Sequence, residues 1–380
     1  MIVEQFIQWV TTAPPEKRAK ATNALARAYL ESKLSPDDFD AAEAAMTFLL
    51  DDPEDVVRLA LADALAGAEE APRHVILGLL DDRPEIGAMI AARSPLLIDS
   101  ELVDIAASRS RPFQLAVAAR AEVSPIVSAA IAEVTPYRVC MRLLSNPNAG
   151  ILPRTLFRLA ERFGIDPSMQ QELLKRDNLP ISARQLILAN MSDALCVSAV
   201  ETRQMEAGRV EEVSREARDR ATLTLVRNMD EDQIPELVEH LRDTMQLTTV
   251  FLLRAICAGQ VHLFVEALSL LCDASAPRVM ALLNDNSSRA LRTLYLKAGL
   301  PEEAYPAFAI AFEVYLEQGS VLDPRDQYRF TRTMIERILE RYKSVAFGEV
   351  DELLSMLRRF SSETARDAAR EYMSGQRRVA

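Results

Sequence analysis

Arginine is the residue type whose placement in this chain suggests the most specific chemistry. Six arginines recur on the second helix of predicted two-helix units, namely Arg58, Arg93, Arg120, Arg154, Arg158 and Arg184. A guanidinium makes forked contacts with carboxylate or phosphate, so this set predicts a partner-binding surface. The alternative is structural, because arginine also lies over apolar neighbours or pairs with carboxylates of the next unit. We weigh the structural role ahead of binding, with Asp52 and Arg58 as its first candidate pair.

Two doubled aspartates could provide paired carboxylates for acid–base chemistry. Asp51-Asp52 recurs as Asp81-Asp82, 30 residues later. Each pair falls where one apolar helical pattern ends and the next begins. We therefore interpret them as turn residues, with Asp52 capping a helix whose first position is Pro53.

The sequence offers no other chemical motif. It contains no Gly-rich phosphate loop, no HExxH and no GxSxG. Four cysteines lie in apolar helical stretches without short metal-ligand spacing, and three histidines are far apart. These are Cys140, Cys196, Cys257, Cys272, His74, His240 and His262. We expect buried thiols and helix-end histidines, and therefore a non-enzymatic protein with no catalytic residue, cofactor or metal.

Helical hairpins position these residues. In Phe39 to Leu65, one apolar helical face is followed by a polar, Pro-containing turn and a second amphipathic helix. Similar units follow at Val75–Arg93, Leu102–Arg120, Arg142–Phe163 and Glu172–Asn190. Glycine is scarce, at 11 residues, and alternating β-branched runs are absent. A recurring two-helix unit of about 30–40 residues predicts an all-α fold, an α-α superhelix of the HEAT-like α-solenoid class.

The pattern predicts four segments along the chain. HEAT-like repeats occupy 1–200, a polar connecting helix or linker 201–220, a further helical repeat region 221–318, and closing amphipathic helices with a short tail 319–380. The closing helices are expected at 325–341, 350–360 and 363–373. Their apolar stripe of Phe330, Met334, Ile338, Leu339 and Tyr342 predicts an end cap of the solenoid. Dimerisation or partner docking is the second interpretation, and a membrane-surface helix the third.

Charge is distributed unevenly. The net charge is −12; residues 31–105 hold 18 acidic and 5 basic residues, whereas 106–200 hold 7 acidic and 11 basic ones. No apolar run approaches the roughly 20 residues of a membrane span. The first ten residues, MIVEQFIQWV, lack the basic start of a secretory signal. We therefore expect a cytoplasmic protein with an acidic first part and a basic middle.

Two stretches resemble a bacterial family catalogued as domain of unknown function 2336, whose members are thought to be HEAT-like. The first is Ala92–Arg120 followed by Leu143–Ile151, and the second is Phe251–Pro301. The second is the more specific, with its order of Cys257-Ala-Gly, Phe264, Arg278-Val and Ala298-Gly-Leu-Pro. The resemblance spans about residues 72–301 and implies an α-helical repeat protein. It implies no activity.

Three hypotheses for function remain open. The leading one is a protein–protein interaction scaffold or adaptor that uses the concave face of the array, with an acidic segment as partner. Nucleic-acid binding is less favoured because phosphate contacts need more positive charge than this chain carries. Self-assembly, as a homodimer pairing acidic and basic parts, is the third.

Overall fold

The computed structural model describes residues 9–10, 12–32, 34–203, 207–284, 288–318, 324–342 and 351–377. Throughout these residues the secondary structure is helical, with one isolated β-bridge between Val123 and Ala149 and no strand. The predicted all-α class is therefore confirmed. The chain forms two compact units, Met1–Ala183 and Arg184–Ala380. No helix among the described residues is both long and apolar enough to cross a membrane.

The first unit is built from short helices. They are α1 Pro15–Glu31, α2 Pro36–Phe48, α3 Asp55–Leu65, α4 Arg73–Leu80, α5 Pro84–Arg93, α6 Asp99–Ser108, α7 Arg111–Ala118, α8 Pro125–Val134, α9 Tyr137–Leu144, α10 Pro153–Phe163 and α11 Pro167–Leu174. Six of them begin with proline, which suits a position whose N–H has no helical partner. Side chains also cap starts, since Ser35 accepts from the Asp38 N–H and Asp166 from the Ser168 and Met169 N–H groups.

Asp52 does not cap a helix as the sequence suggested. Helix α3 begins at Asp55, so Pro53 precedes the helix instead of occupying its first position. The Asp52 carboxylate accepts the Glu54 N–H within the turn, at 2.9 Å. It also accepts two hydrogen bonds from Arg18 of α1, at 2.9 and 2.8 Å. These contacts fix Asp52 in the turn, and the prediction of a cap was wrong.

Helices of the first unit pack on the helix two places away in sequence. Helix α3 contacts α1 and α5, α7 contacts α5 and α9, and α9 contacts α11. Helix α8 likewise contacts α6 and α10. We call these the odd stack and the even stack. Short helices of this kind bury one apolar face each, with Leu61, Ile90 and Val117 fully buried in the odd stack and Ile131 in the even one.

A side chain at the end of several helices, or just after it, binds the carbonyl end of the helix two places earlier. Arg120, after α7, donates to the Ala91 and Ser94 carbonyls at the end of α5. The same contact recurs from Arg109 to Leu80, from Asn146 to Ala118 and Arg120, from Arg162 to Ala132 and Thr135, and from Arg176 to Leu144 and Asn146. The last carbonyls of a helix have no helical donor, so these guanidinium and amide groups satisfy them.

The second unit contains longer helices. Helix α12, Ile181–Arg203, includes the division between the units, and the others are α13 Ala207–Arg227, α14 Ile234–Asp243, α15 Thr249–Cys257, α16 Val261–Cys272, α17 Ala276–Asn284, α18 Ser288–Lys297, α19 Tyr305–Gln318, α20 Pro324–Arg341 and α21 Asp351–Arg377. Its core includes aromatic pairs, with the Phe264 and Phe308 rings stacked 5.6 Å apart. Gly299 follows α18 with a φ of 72°, the left-handed conformation expected of a C-cap glycine.

The closing helices differ from the three that the sequence suggested. The stretch around Phe360 is continuous helix in α21, because Ser361-Ser362 contains no proline or glycine to end it. The stripe of α20 is inside the unit, where Phe330, Met334 and Ile338 are fully buried. Helix α20 packs against α15, α19 and α21. That apolar stripe is therefore occupied by the chain's own helices.

The compact units divide before the predicted boundary at residue 200. The predicted polar linker, 201–220, lies in the end of α12 and the first part of α13, apart from 204–206 outside the described residues. This stretch is not simply solvated. The side chains of Asp219 and Glu216 are 12% and 14% exposed, and both face cations of the second unit.

Candidate functional site

Arg58 is part of the internal structure of the first unit. Its side chain is 12% exposed and donates two hydrogen bonds to Asp82, at 2.6 and 3.0 Å. It also donates to the Asp52 backbone carbonyl and to Asp55. The expected ladder therefore exists, but the carboxylate that Arg58 holds is Asp82, while Asp52 holds Arg18. The hydrogen bonds that Arg58 donates to Asp82 raise the pKa of Arg58 despite its burial.

Three further predicted arginines are also paired. Arg120 binds the two α5 carbonyls described above, and burial lowers its pKa. Arg93 pairs with Asp63 at 3.2 Å, with both side chains 57% exposed. Arg158 donates to both oxygens of Glu133, at 2.8 and 2.9 Å, and to Glu161. Each of these arginines joins its helix to the helix two places earlier.

Arg154 and Arg184 complete the predicted set. Arg154 is exposed in the first turn of α10 and forms no ion pair with any described residue. Arg184 is half-buried in α12 and belongs to the second unit. Arg58, Arg93 and Arg120 lie on the odd stack, whereas Arg154 and Arg158 lie on the even stack. The structure therefore does not bring the six arginines together on one face.

Three other arginines form a better candidate surface, which we call the arginine patch: Arg111, Arg138 and Arg142. All three are exposed and none pairs with an acid in the described part of the chain. Arg138 and Arg142 lie one turn apart on α9, so they share a face. The patch can offer several guanidinium forks to one ligand.

Arg111 begins α7, a helix that packs against α9. Asn146, following α9, donates to the Ala118 carbonyl at the end of α7, so the two C-terminal ends are adjacent. The sequence signal for this surface was the excess of four basic over acidic residues in 106–200. That excess did not identify which arginines are unpaired.

The sequence did not reveal Arg254, which is buried in the second unit. It lies in the apolar stretch of α15, where its side chain is only 1% exposed. Its guanidinium donates to the Glu216 carbonyl at 3.2 Å and approaches Glu363 at 3.5 Å and Asp219 at 3.8 Å. The Phe360 ring lies 5.1 Å from the guanidinium carbon. The hydropathy pattern predicts that α15 is a core helix, and one charged residue within it does not change that prediction.

The carboxylates around Arg254 have perturbed pKa values. Burial raises the pKa of Asp219 to about 6, against the attraction of Arg254. Burial also raises the pKa of Glu216, although Arg359 places its Nε 2.7 Å from the Glu216 carboxylate. Arg359 additionally binds Glu212 at 2.5 Å. This charged cluster joins α13, α15 and α21 inside the second unit.

The cysteines and histidines show no arrangement for chemistry. All four cysteines are free and buried, and burial raises the pKa of the Cys257 thiol to about 12. A thiol so far from its thiolate form is a poor nucleophile. His74 lies 2.8 Å from the Thr47 hydroxyl, and His240 lies 3.1 Å from the Gln185 amide oxygen. Within the described ranges, no group of three or more His, Cys, Asp or Glu could hold a metal ion.

Comparison with known proteins places the chain among bacterial proteins. A family model described as "Uncharacterised protein conserved in bacteria" (DUF2336) matches residues 87–348, about two thirds of the chain. The match includes the arginine patch and Arg254, and it ends before α21. No curated protein matches the chain.

Proposed function

The chain belongs to the bacterial family catalogued as domain of unknown function 2336, and we propose that it is a non-enzymatic scaffold or adaptor that binds an acidic segment of a partner protein. The binding surface is the arginine patch of α7 and α9. The observation that supports this most is the absence of any ion pair from Arg111, Arg138 and Arg142 within the described residues.

Three acids of α8, α10 and α11 support the proposal because they already have partners. Glu133 and Glu161 bind Arg158, and Glu172 binds Lys175. These three carboxylates are therefore used elsewhere and not by the arginine patch. Exposed arginines without a carboxylate leave strong donors facing water, where an acidic peptide can use them in charge-assisted hydrogen bonds.

We further propose that the first unit is a HEAT-like α-solenoid and that the protein acts in the cytoplasm. The contacts between helices two places apart support the solenoid, since each repeat of such an array touches its neighbours. The spacing of the carbonyl-binding side chains supports it too. Arg120 and Ala91 are 29 residues apart, and Arg162 and Ala132 are 30 apart. These values lie close to the repeat length expected from the sequence.

The test replaces Arg138 and Arg142 together by glutamate. A fluorescein-labelled poly-glutamate peptide serves as the probe, and fluorescence anisotropy at low salt measures its dissociation constant. We expect roughly tenfold weaker binding or more, because two attractive charges become repulsive. Affinity purification from the native cell with mass spectrometry then compares the acidic proteins retained by each variant.

The matched control is the double change Arg278→Glu and Arg289→Glu. These arginines are exposed on α17 and α18 of the second unit, so the control carries the same net charge as the test variant. Circular dichroism verifies that both variants keep their helicity. The proposal fails if both double variants bind the peptide equally well, because net charge alone would then explain the loss.

A second copy of the chain is the alternative occupant of the arginine patch. Many exposed acids of the first unit have no ion pair among the described residues, among them Asp37, Asp40, Glu54, Glu69 and Glu70. Light scattering distinguishes the two cases. A dimer that dissociates in high salt and in the Arg138→Glu, Arg142→Glu variant indicates self-association, whereas a monomer at all salt concentrations excludes it.

A further inference from the structure

Arg254 is a buried cation with incomplete pairing. Its three polar contacts with described residues, at 3.2, 3.5 and 3.8 Å, are all longer than the roughly 2.7–2.9 Å of a charge-assisted hydrogen bond. Its Nε is buried and has no hydrogen-bond partner among the residues that the structure describes. Burying a guanidinium is costly unless its donors are satisfied. The cluster as it stands therefore leaves donor capacity at Arg254 for a further acceptor.

A polar cavity adjoins this guanidinium. It has a volume of about 100 Å³ and is lined by residues of α13, α15, α20 and α21. One water needs roughly 10–15 Å³ of such volume, so the space is large enough for a carboxylate or phosphate group. The charged residues of the lining are Arg220, Arg227, Arg254 and Glu363, an excess of cations. Thr331, Thr364 and Gln260 supply further polar groups.

A larger apolar groove lies next to the polar cavity. Its volume is about 590 Å³, within the usual range for small-molecule sites. The two spaces share Arg220, Thr224 and Glu363 as lining residues, so they are adjacent. Leu188 and Leu225 are half-buried in the groove and Val213 is exposed. An apolar wall left open to water gains free energy when it is covered.

We propose that the second unit binds an anionic amphiphile, a molecule with a carboxylate or phosphate head and an alkyl or acyl chain. The head occupies the polar cavity and accepts from Arg254, with Arg227 at the rim. The alkyl or acyl chain of the ligand lies in the apolar groove along α13. Glu363, held only loosely at 3.5 Å, is the acid that the head displaces from Arg254. This site is separate from the arginine patch and uses none of its residues.

Isothermal titration calorimetry with four probes tests the ligand class on the full chain. Decanoate and decyl phosphate carry both parts, decanol lacks the charge, and inorganic phosphate lacks the chain. We expect one or both charged amphiphiles to bind, and decanol and inorganic phosphate to bind at least about tenfold more weakly. The better of the two charged probes identifies the head. Binding of decanol or inorganic phosphate at equal strength overturns the proposal, as does no binding by either amphiphile.

Substitutions test the site itself. We expect Arg254→Gln and Arg227→Gln to weaken the binding of the charged probes. Glu363→Gln should strengthen their binding by removing a competing acid. Val213→Asp should weaken binding by placing a charge in the groove that holds the alkyl chain of the ligand. Arg227 and Val213 are exposed, so those variants stay informative even if Arg254→Gln fails to fold. Arg278→Gln, at an exposed position outside both spaces, is the control. Unchanged affinity in both Arg227→Gln and Val213→Asp refutes the site.

Discussion

Arg58 and Asp82 form a two-pronged ion pair that joins helix α3 to the turn before α5 across 24 residues of sequence. Both side chains are largely buried, at 12% and 13% exposure. Arg58 simultaneously binds the Asp52 carbonyl, so one guanidinium connects two successive turns. Arg18 makes the corresponding pair with Asp52 one step earlier. The second aspartate of each doubled pair is thus the acceptor for an arginine of an earlier helix.

The first prediction concerns the acid stability of this pair. Burial raises the pKa of Asp82, but hydrogen bonds from Arg58 and the Arg83 N–H outweigh it, so the pKa lies below its ordinary value. A depressed acid stabilises the fold above its unfolded pKa of about 3.9, and this contribution is lost as the pH falls through the folded value. Asp82→Asn should lower the free energy of unfolding by about 3 kcal/mol at pH 7.

Urea unfolding followed by circular dichroism at several pH values measures this effect. The difference in unfolding free energy between the original chain and Asp82→Asn should begin to narrow below about pH 4, where the unfolded chain binds a proton at Asp82. It should keep narrowing as the pH falls through the lower folded pKa. Asp81→Asn is the control, because Asp81 is 72% exposed. A gap that stays constant down to the lowest pH at which both proteins fold would contradict the assignment.

The second prediction separates carbonyl-binding arginines from surface ion pairs. Arg120→Ala removes the donor to the Ala91 and Ser94 carbonyls and should lower the free energy of unfolding by about 1–3 kcal/mol. Arg93→Ala removes an exposed pair with Asp63 and should cost about 0.5 kcal/mol or less. Both values come from the same urea titration. Equal costs would show that the carbonyl contacts contribute no more than surface charge.

The third prediction tests the close approach of α5 and α7. A Cβ added at Gly87 would lie 2.5 Å from the Leu80 carbonyl oxygen and 2.6 Å from the Phe113 ring. Gly87→Ala should therefore destabilise the chain by about 1–3 kcal/mol through overpacking. Gly67→Ala is the control, since nothing lies within 4 Å of its added Cβ. Thermal unfolding measures the stability of both variants. A loss of stability in Gly67→Ala as large as in Gly87→Ala would refute the packing argument.

Local signals in the sequence predicted the helices and their turns. Proline marks a helix start because its missing N–H has no cost there, and this rule holds at Pro84, Pro125 and Pro153. Gly299 marked a helix end through its left-handed backbone. The doubled aspartates were correctly placed at helix joints. Such features depend only on a few consecutive residues.

Partners in space could not be predicted in the same way. Arg58 was singled out, but Asp82 as its carboxylate depends on how α3 packs against α5. The unpaired state of Arg111, Arg138 and Arg142 depends on which acids other helices bring near them. Arg254 looked unremarkable because apolar residues surround it in sequence. Its incomplete pairing arises from α13 and α21, which lie far away along the chain.

The carbonyl-binding side chains give the first unit a direction during synthesis. The carbonyls at the end of α5 are bound by Arg120, and those at the end of α9 by Arg176. Each helix end therefore obtains its donor from a residue translated about 30 residues later. A nascent chain would therefore close one helix end at a time as it leaves the ribosome, always with the newest end still open to water. Truncation from the C-terminal side should accordingly uncover one set of carbonyls at each step.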